Sequence, residues 1–198
     1  MATNLHEYLS FLIKPASWDC NLFCDYCFYK RTIESYPEST HRMSEETFTQ
    51  LVRQAQTDRR KAVSYVFQGG EPMLMGLDFY NRVVEIMEKH RKPGQVITLT
   101  VQTNGILIDD EWAEFFARNH VLVGISLDGP KELHDMHRFN FARESVYDRV
   151  MKSIDIMRRY GVEFNTLTVI TKDTAPYADG IYDFFRENGL YYLQFIDC

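Results

Sequence analysis

Cys20-Asn-Leu-Phe-Cys24-Asp-Tyr-Cys27 is the most informative stretch of this sequence. Its cysteines follow the spacing C-x3-C-x2-C. Thiolates this close in sequence can bind three corners of an iron–sulfur cube, whereas ordinary electron-carrying cubes use four cysteines. The fourth iron would then have no protein ligand nearby and would be open to a small molecule. The stretch therefore predicts a metal centre with one position free for a ligand.

Zinc, a disulfide and unrelated buried cysteines are the alternatives to an iron–sulfur cluster. Soft thiolates favour zinc as well as iron–sulfur. Structural zinc takes four ligands, however, and the nearest candidate for a fourth is His41. A disulfide fits poorly, because three cysteines are clustered and Cys198 is distant. The spacing alone favours a cluster but leaves zinc and three buried cysteines open.

Length, composition and charge limit the class of protein. A chain of 198 residues can bury a substantial core and is interpreted as one domain. No apolar run approaches the roughly 20 residues of a membrane span, and residues 1–7 lack the basic and apolar segments of a signal peptide. Reduced cysteines then indicate the cytoplasm. A formal charge of −6 gives no indication of a basic surface for nucleic acid. The short cationic run at residues 59–61 is interpreted as the end of a helix, where cations are favourable.

Strand and helix signals alternate along the chain. Apolar and β-branched runs predict strands at residues 8–14, 63–67, 96–101, 121–125, 164–170 and 191–196. Amphipathic patterns and caps predict helices at residues 44–55, 77–90, 109–119, 145–160 and 175–187. Such alternation argues for parallel βα units. An open, doubly wound sheet fits the same periodicity.

Polar motifs follow the predicted strands. The cysteine loop follows the first strand, and Gln68–Glu71, Gln102–Asn104 and Ser126–Asp128 follow the next three. The carboxyl ends of parallel strands in a βα barrel share one rim, where the chemistry is found. Motifs far apart in sequence are therefore expected to form one pocket. The competing interpretations are a tight turn at Gly-Gly-Glu-Pro and turn residues at Asn104 and Asp128 that bond their own backbone.

The cysteine motif, with Tyr26 before its third cysteine, resembles the motif of the radical S-adenosylmethionine (SAM) enzymes. The string from Ile13–Ser17 to Tyr29, combined with the three later motifs, resembles the anaerobic sulfatase-maturating enzymes over essentially the whole chain. The resemblance implies a partial (β/α)6 barrel that lacks its last helix.

The resemblance also implies roles for individual residues. It assigns Cys20, Cys24 and Cys27 to a 4Fe–4S cluster. It assigns to SAM the residues Tyr26, Gln68, Gly69, Gly70, Glu71, Ser126 and Arg138. Within that set, the glycines would let a ligand approach the backbone. Glu71 would offer a carboxylate to the amino group of SAM, and Arg138 would reach the carboxylate of SAM. Tyr26 would lie near the adenine of SAM. Tyr29 and Gln102 resemble substrate-side residues.

Several of these residues also have simpler interpretations. Tyr26 could be a core tyrosine, and Arg138 is as readily a surface arginine. His134 and His137 form an i, i+3 pair, which is a weak metal motif and is more typical of a loop or helix surface. Cys198 either points into the pocket or is a buried apolar residue.

The reaction implied by the resemblance is the reductive cleavage of SAM at the cluster. The resulting 5′-deoxyadenosyl radical removes a hydrogen atom from the β-carbon of a sulfatase cysteine or serine. Loss of a second electron and a proton, followed by hydrolysis when the residue is cysteine, then gives Cα-formylglycine. The expected partners are a sulfatase or another peptide and an electron donor such as flavodoxin or ferredoxin. Neither nucleic acid nor a membrane is expected as a partner.

Full-length maturases continue into a C-terminal domain with cysteines for two auxiliary clusters and a catalytic aspartate. Residues 1–198 are therefore expected to be the radical SAM core alone, with no catalytic residue assigned. The alternatives are a radical SAM maturase of another peptide and a non-catalytic iron–sulfur protein.

Overall fold

A parallel six-stranded sheet forms the centre of the computed structural model, which describes residues 7–30 and 41–198. The segment analysed for a signal peptide lies mostly at residues 1–6, outside the described residues. The strands are β1 (Tyr8–Ile13), β2 (Ala62–Phe67), β3 (Val96–Thr103), β4 (Leu122–Ser126), β5 (Phe164–Ile170) and β6 (Leu193–Asp197).

The strand order is β1-β2-β3-β4-β5-β6, and every neighbouring pair is parallel. A doubly wound sheet reverses its strand order at a switch point, and this sheet does not. The strands curl into a half-barrel with helices, which confirms the predicted partial (β/α)6 architecture. All described strands therefore place their carboxyl ends on one rim.

Helices connect the strands and cover one face of the sheet. They are α1 (Glu45–Ala55), α2 (Leu77–His90), α3 (Asp110–Arg118), α4 (Lys131–His137), α5 (Tyr147–Arg159) and α6 (Ala178–Glu187). Capping side chains explain where two of these helices begin. The Ser44 hydroxyl accepts a hydrogen bond from the Thr47 amide at 3.1 Å, and Asp109 caps α3 through the Trp112 amide at 3.0 Å.

Helix α4 and two short 3₁₀ helices were not predicted. Residues Pro72–Met75 and Ala175–Tyr177 form the 3₁₀ turns. The second turn occupies the start of the predicted 175–187 helix, where Pro176 lies at an N-terminal position. Helix α4 has seven residues, which is too short for a clear amphipathic period. The predicted 145–160 helix begins at Tyr147, because Ser145 forms a β-bridge with Phe139.

The core lies between the helices and the outer face of the sheet. Along β2, Val63, Tyr65 and Phe67 are buried, while the alternate residues are only partly buried. Phe48 of α1 and Tyr80 of α2 are fully buried and pack edge-on or tilted against this aromatic face. One face is therefore closed, and the inner face is left to line a cavity. Within the described ranges, no helix is both long enough and apolar enough to cross a membrane.

Candidate functional site

A cavity of about 290 Å³ lies at the carboxyl ends of the strands. The predicted motifs meet there. Its lining includes Cys20, Cys24, Tyr26, Cys27, Tyr29, Gln68, Gly69, Gly70, Gln102, Ser126 and Arg138. Glu71 is the one predicted site residue that does not line the cavity. A larger cavity of about 620 Å³ lies near the amino ends of β4–β6, and its lining contains none of the predicted site residues.

The three clustered cysteines are free thiols beside one another. Cys24 is buried with Leu22 and Val146, and Cys20 and Cys27 pack against this group. Burial, and secondarily the charge of Glu71, raises the pKa of Cys20 to about 12. Burial also raises the pKa of Cys24, although Arg138 opposes the shift. The Cys20 and Cys24 thiols therefore resist ionisation, and a bound metal would displace their protons.

The thiols border the cavity without converging on a point. In residues 7–30 and 41–198, no group of three or more His, Cys, Asp and Glu side chains is arranged to hold a single metal ion. Zinc gathers its thiolates about 2.3 Å from one centre, whereas a cube binds each cysteine at a different iron. In the described part of the chain, three soft sulfurs without a fourth ligand beside them suit an iron–sulfur cluster.

Backbone hydrogen bonds hold the cysteine loop against the segment after α4. The Phe23 amide donates to the Phe139 carbonyl at 2.9 Å, and the Asp25 amide donates to the His137 carbonyl at 2.8 Å. These bonds bracket Cys24 and therefore fix its position relative to Arg138, which lies between the two acceptors in sequence.

The two glycines after β2 hold the opposite side of the loop. The Gly70 amide donates to the Ser17 carbonyl at 2.9 Å, and a Cβ atom on Gly70 would lie 2.0 Å from the Asp19 carbonyl oxygen. Gly69 has φ +118°, and its Cβ would lie 2.8 Å from the Ser17 oxygen. The absence of side chains is thus required by loop packing. Because both glycines also line the cavity, ligand approach to their backbone is still expected.

The Glu71 carboxylate faces protein donors and not the cavity. It is fully buried and accepts hydrogen bonds from Thr103 Oγ1 at 2.8 Å and from the Asn104 and Met73 amides at 2.9 Å. Burial, opposed by these bonds, raises the pKa of Glu71 to about 7. The contact of this carboxylate with the amino group of SAM stays a prediction. The side chain joins the end of β2 to the end of β3.

Asn104 contacts the first cysteine as well as its own turn. Its Oδ1 accepts from the Ile106 amide at 3.1 Å, as the competing turn interpretation expects. Its Nδ2 donates to Asn21 Oδ1 at 2.8 Å and lies 3.7 Å from Cys20 Sγ. The position of Asn104 after a strand was the only sequence feature that pointed to this contact. The same feature is expected of an ordinary turn residue, so the sequence could not distinguish the two roles.

Arg138 and Asp128 form a buried ion pair behind the cavity wall. Arg138 Nε lies 3.2 Å from Asp128 Oδ2, and Arg138 is 6% exposed, so the surface interpretation is wrong. Tyr26 Oη donates to Asp128 Oδ2 at 2.5 Å. Burial alone would raise the pKa of Asp128, but Arg138 and these hydrogen bonds hold it below its ordinary value. Asp128 therefore bonds other segments rather than its own turn.

The two histidines of α4 do not converge. His134 is fully buried, its Nδ1 accepts from the Asp128 amide at 3.3 Å, and burial lowers its pKa to about 3. His137 Nε2 lies 3.3 Å from Thr171 Oγ1 and 3.4 Å from Asp173. The helical placement is confirmed, whereas a surface position is wrong for His134.

The remaining predicted residues lie on the inner face and rim. Gln102 is the second-last residue of β3, and Ser126 is the last residue of the neighbouring β4. Tyr29 packs against Phe28 with ring centroids 4.1 Å apart. Lys14 Nζ lies 5.0 Å from the centroid of the Tyr29 ring. The exposed thiol of Cys198 also borders the cavity, beside Asp197, which the sequence analysis missed.

Comparison with known proteins gives one matching family model. Residues 19–185 match the radical SAM superfamily. A cysteine-type anaerobic sulfatase-maturating enzyme of Clostridium novyi is 41% identical over 195 residues, which cover 96% of this chain and 51% of that protein. A serine-type anaerobic sulfatase-maturating enzyme of Bacteroides thetaiotaomicron is 36% identical over 186 residues, covering 93% and 45%.

A solved structure gives the same relationship in three dimensions. Native anSMEcpe with bound AdoMet and Cp18Cys peptide superimposes with a TM-score of 0.89 at 40% identity. The match covers 96% of this chain and 51% of that one. The chain therefore spans about half the length of the curated relatives it matches.

Proposed function

Because this chain belongs to the radical SAM superfamily, we propose that it is the radical SAM core of an anaerobic sulfatase-maturating enzyme. The proposed reaction oxidises a cysteine or serine of a sulfatase to Cα-formylglycine. One observation carries the proposal: three free cysteines and the motifs that follow β2, β3 and β4 border a single cavity. The named activity of the relatives supports the choice of substrate.

The residues at the cavity suit the two cofactors of this family. Cys20, Cys24 and Cys27 would hold a 4Fe–4S cluster. SAM would contact the backbone of the two glycines and the side chains of Tyr26, Gln68, Ser126 and Arg138, all of which border the cavity. When bound, the cluster and SAM together supply a carbon radical that removes a hydrogen atom from the substrate.

The chain's own residues would bind the cofactors, orient the substrate and shield the reaction from water. Arg138 lies close enough to Cys24 to oppose the rise in its pKa, so the guanidinium favours the thiolate that a metal needs. The apolar side chains of Leu167, Val169 and Ile196 border the cavity and would exclude water from a reactive intermediate. Tyr29 and Gln102, at the same cavity, are the candidates for contact with the substrate peptide.

Further expectations belong to the same proposal. The substrate enters as a peptide, and a small reductant protein such as flavodoxin or ferredoxin supplies the electron. The auxiliary-cluster domain and the catalytic aspartate of the maturases have no counterpart assigned in residues 1–198. The cytoplasmic location predicted from the cysteines stays a prediction.

Anaerobic reconstitution of the full 198-residue chain tests the proposal, with Cys24→Ala as its control. The chain should bind iron and sulfide, absorb near about 400 nm as thiolate-bound cubes do, and release 5′-deoxyadenosine from SAM after reduction. The Cys24→Ala variant should lose the cluster. Iron binding without SAM cleavage would indicate a non-catalytic iron–sulfur protein.

Mass spectrometry of treated peptides tests the substrate. Sulfatase-motif peptides with cysteine or serine at the target position are compared with unrelated cysteine peptides. Formylglycine in a sulfatase peptide supports the proposal, whereas crosslinks in another peptide would indicate a different maturase. The cysteine-type anaerobic sulfatase-maturating enzyme of Clostridium novyi serves as the positive control.

A further inference from the structure

We propose that Asp128 is a positioning residue that sets the affinity for SAM by holding Arg138 and Tyr26 in place from behind the cavity wall. The inference rests on the proposed function, because it concerns how the chain binds SAM. Asp128 does not border the cavity, whereas Arg138 and Tyr26 do. It therefore acts through two side chains that reach the ligand space.

One carboxylate holds both of these side chains. Asp128 Oδ2 accepts from Tyr26 Oη at 2.5 Å and from Arg138 Nε at 3.2 Å. Asp128 Oδ1 lies 3.5 Å from Arg138 Nη2. The guanidinium carbon is also 5.5 Å from the centroid of the Tyr26 ring. The three groups thus form one packed unit that links the cysteine loop, the end of β4 and the residue after α4.

The carboxylate is itself fixed from independent directions. Its Oδ1 accepts from the Val169 amide in β5 at 2.9 Å, and the Asp128 amide donates to His134 Nδ1 at 3.3 Å. Asp128 is 2% exposed. Because a donor from β5 and an acceptor from α4 hold the residue, its orientation does not depend on the two side chains that it positions.

Arg138 can serve both Asp128 and a ligand. A guanidinium carries five N–H donors, and the two bonds to Asp128 use only Nε and Nη2. A long arginine side chain loses considerable rotamer freedom when it binds a carboxylate. If Asp128 has already fixed the side chain, that entropy is lost on folding and not on ligand binding, which raises affinity.

Stability alone does not account for this arrangement. Burying an ion pair costs desolvation that the pair only partly recovers, and apolar replacements are often at least as stable. An arginine and a carboxylate retained beside a cavity, with the arginine facing the ligand space, are better explained by ligand binding. A purely structural role for Asp128 predicts that its loss affects all ligands equally. A positioning role predicts that its loss affects mainly the ligands that carry the amino acid carboxylate of SAM.

The test compares two ligands on the reconstituted protein. S-adenosylhomocysteine keeps the amino acid carboxylate of SAM, and 5′-methylthioadenosine lacks it. Dissociation constants are measured for the wild type, Asp128→Asn and Thr168→Val, with iron content and thermal stability measured alongside. Thr168 is the matched control, since it is fully buried and its hydroxyl donates to the Leu127 carbonyl at 2.8 Å, next to Asp128.

The expected result is selective. Asp128→Asn should weaken S-adenosylhomocysteine binding by about tenfold, the worth of one charge-assisted hydrogen bond. It should weaken 5′-methylthioadenosine binding much less, because an amide oxygen can still accept from Tyr26 Oη, whereas the charge that pairs with Arg138 is lost. Thr168→Val should lose stability without changing the ratio of the two constants. Equal loss for both ligands, or no loss, in a folded Asp128→Asn protein with a full cluster would overturn the inference.

Tyr26→Phe keeps the inference testable if Asp128→Asn does not fold. This variant removes only the hydroxyl that donates to Asp128 and leaves no buried charge unpaired. At least a twofold loss of S-adenosylhomocysteine affinity at unchanged iron content is expected, and unchanged affinity overturns the inference. A wild-type protein that binds neither ligand and does not cleave SAM would instead reject the proposed function, so the two failures are distinct.

Discussion

Gly70 and Asp19 are packed backbone against backbone, so that a Cβ atom on the glycine would lie 2.0 Å from the Asp19 carbonyl oxygen. The neighbouring Glu71 amide donates to the same oxygen at 2.7 Å. This contact joins the end of β2 to the residue directly before Cys20. The position of the first cysteine therefore depends on the absence of a side chain at one residue in another motif.

Gly70→Ala should displace the cysteine loop. The new methyl group meets backbone atoms that cannot rotate away, and overpacking of this kind costs roughly 1–3 kcal/mol. Chemical unfolding should show that loss, and reconstitution should give less iron per chain. Gly180→Ala is the matched control, because Gly180 lies in α6 with nothing within 4 Å of an added Cβ. It should gain about 0.5–1 kcal/mol. Equal iron content in Gly70→Ala and the wild type would contradict the prediction.

Glu71→Gln should change how stability depends on pH. Burial raises the pKa of Glu71 from 4.5 to about 7, so the native state holds this proton more tightly than the unfolded state. Stability should then fall as pH rises through that window, by up to about 3 kcal/mol. Urea unfolding of the metal-free protein between these pH values should show a steeper fall in the wild type than in Glu71→Gln. Parallel curves would show that Glu71 ionises normally.

His134 should contribute the opposite slope. Burial lowers its pKa from 6.5 to about 3, so the unfolded state binds the proton more readily. The stability from the neutral imidazole is present above the unfolded pKa and is lost as pH falls towards the folded one. His134→Gln keeps a hydrogen-bond acceptor and removes this titration. Its free energy of unfolding should decline less than that of the wild type on acidification from pH 6.5, the ordinary histidine pKa.

Asn104→Leu should lower the reduction potential of a bound cluster. Asn104 Nδ2 lies 3.7 Å from Cys20 Sγ, and hydrogen bonds to cluster sulfurs favour the reduced state. Protein-film voltammetry or a dye-linked titration of the reconstituted chain measures the midpoint. Asn119→Ala is the control, because its Nδ2 donates to the Phe115 carbonyl at the end of α3. An unchanged midpoint in Asn104→Leu would show that this contact does not reach the cluster.

The apolar and β-branched runs predicted the fold well, because a buried strand produces such a signal within a few positions. All six strands were found within a few residues of their expected positions. Helix α4 was missed because seven residues carry too few apolar positions to show a helical period. The 3₁₀ turn at Pro72–Met75 was missed for a related reason, since its cap is Glu71, a residue interpreted as a ligand contact.

The sequence by itself determined the cysteine spacing, the parallel βα order and the placement of each polar motif after a strand. These are local properties, because spacing and period depend only on neighbouring residues. The tertiary structure decided what each polar side chain faces. Glu71 faces Thr103 and not the cavity, and Asp128 holds Arg138 from a different segment. Such partners lie 32 and 10 positions away in the chain, so only the packing of the rim loops could select them.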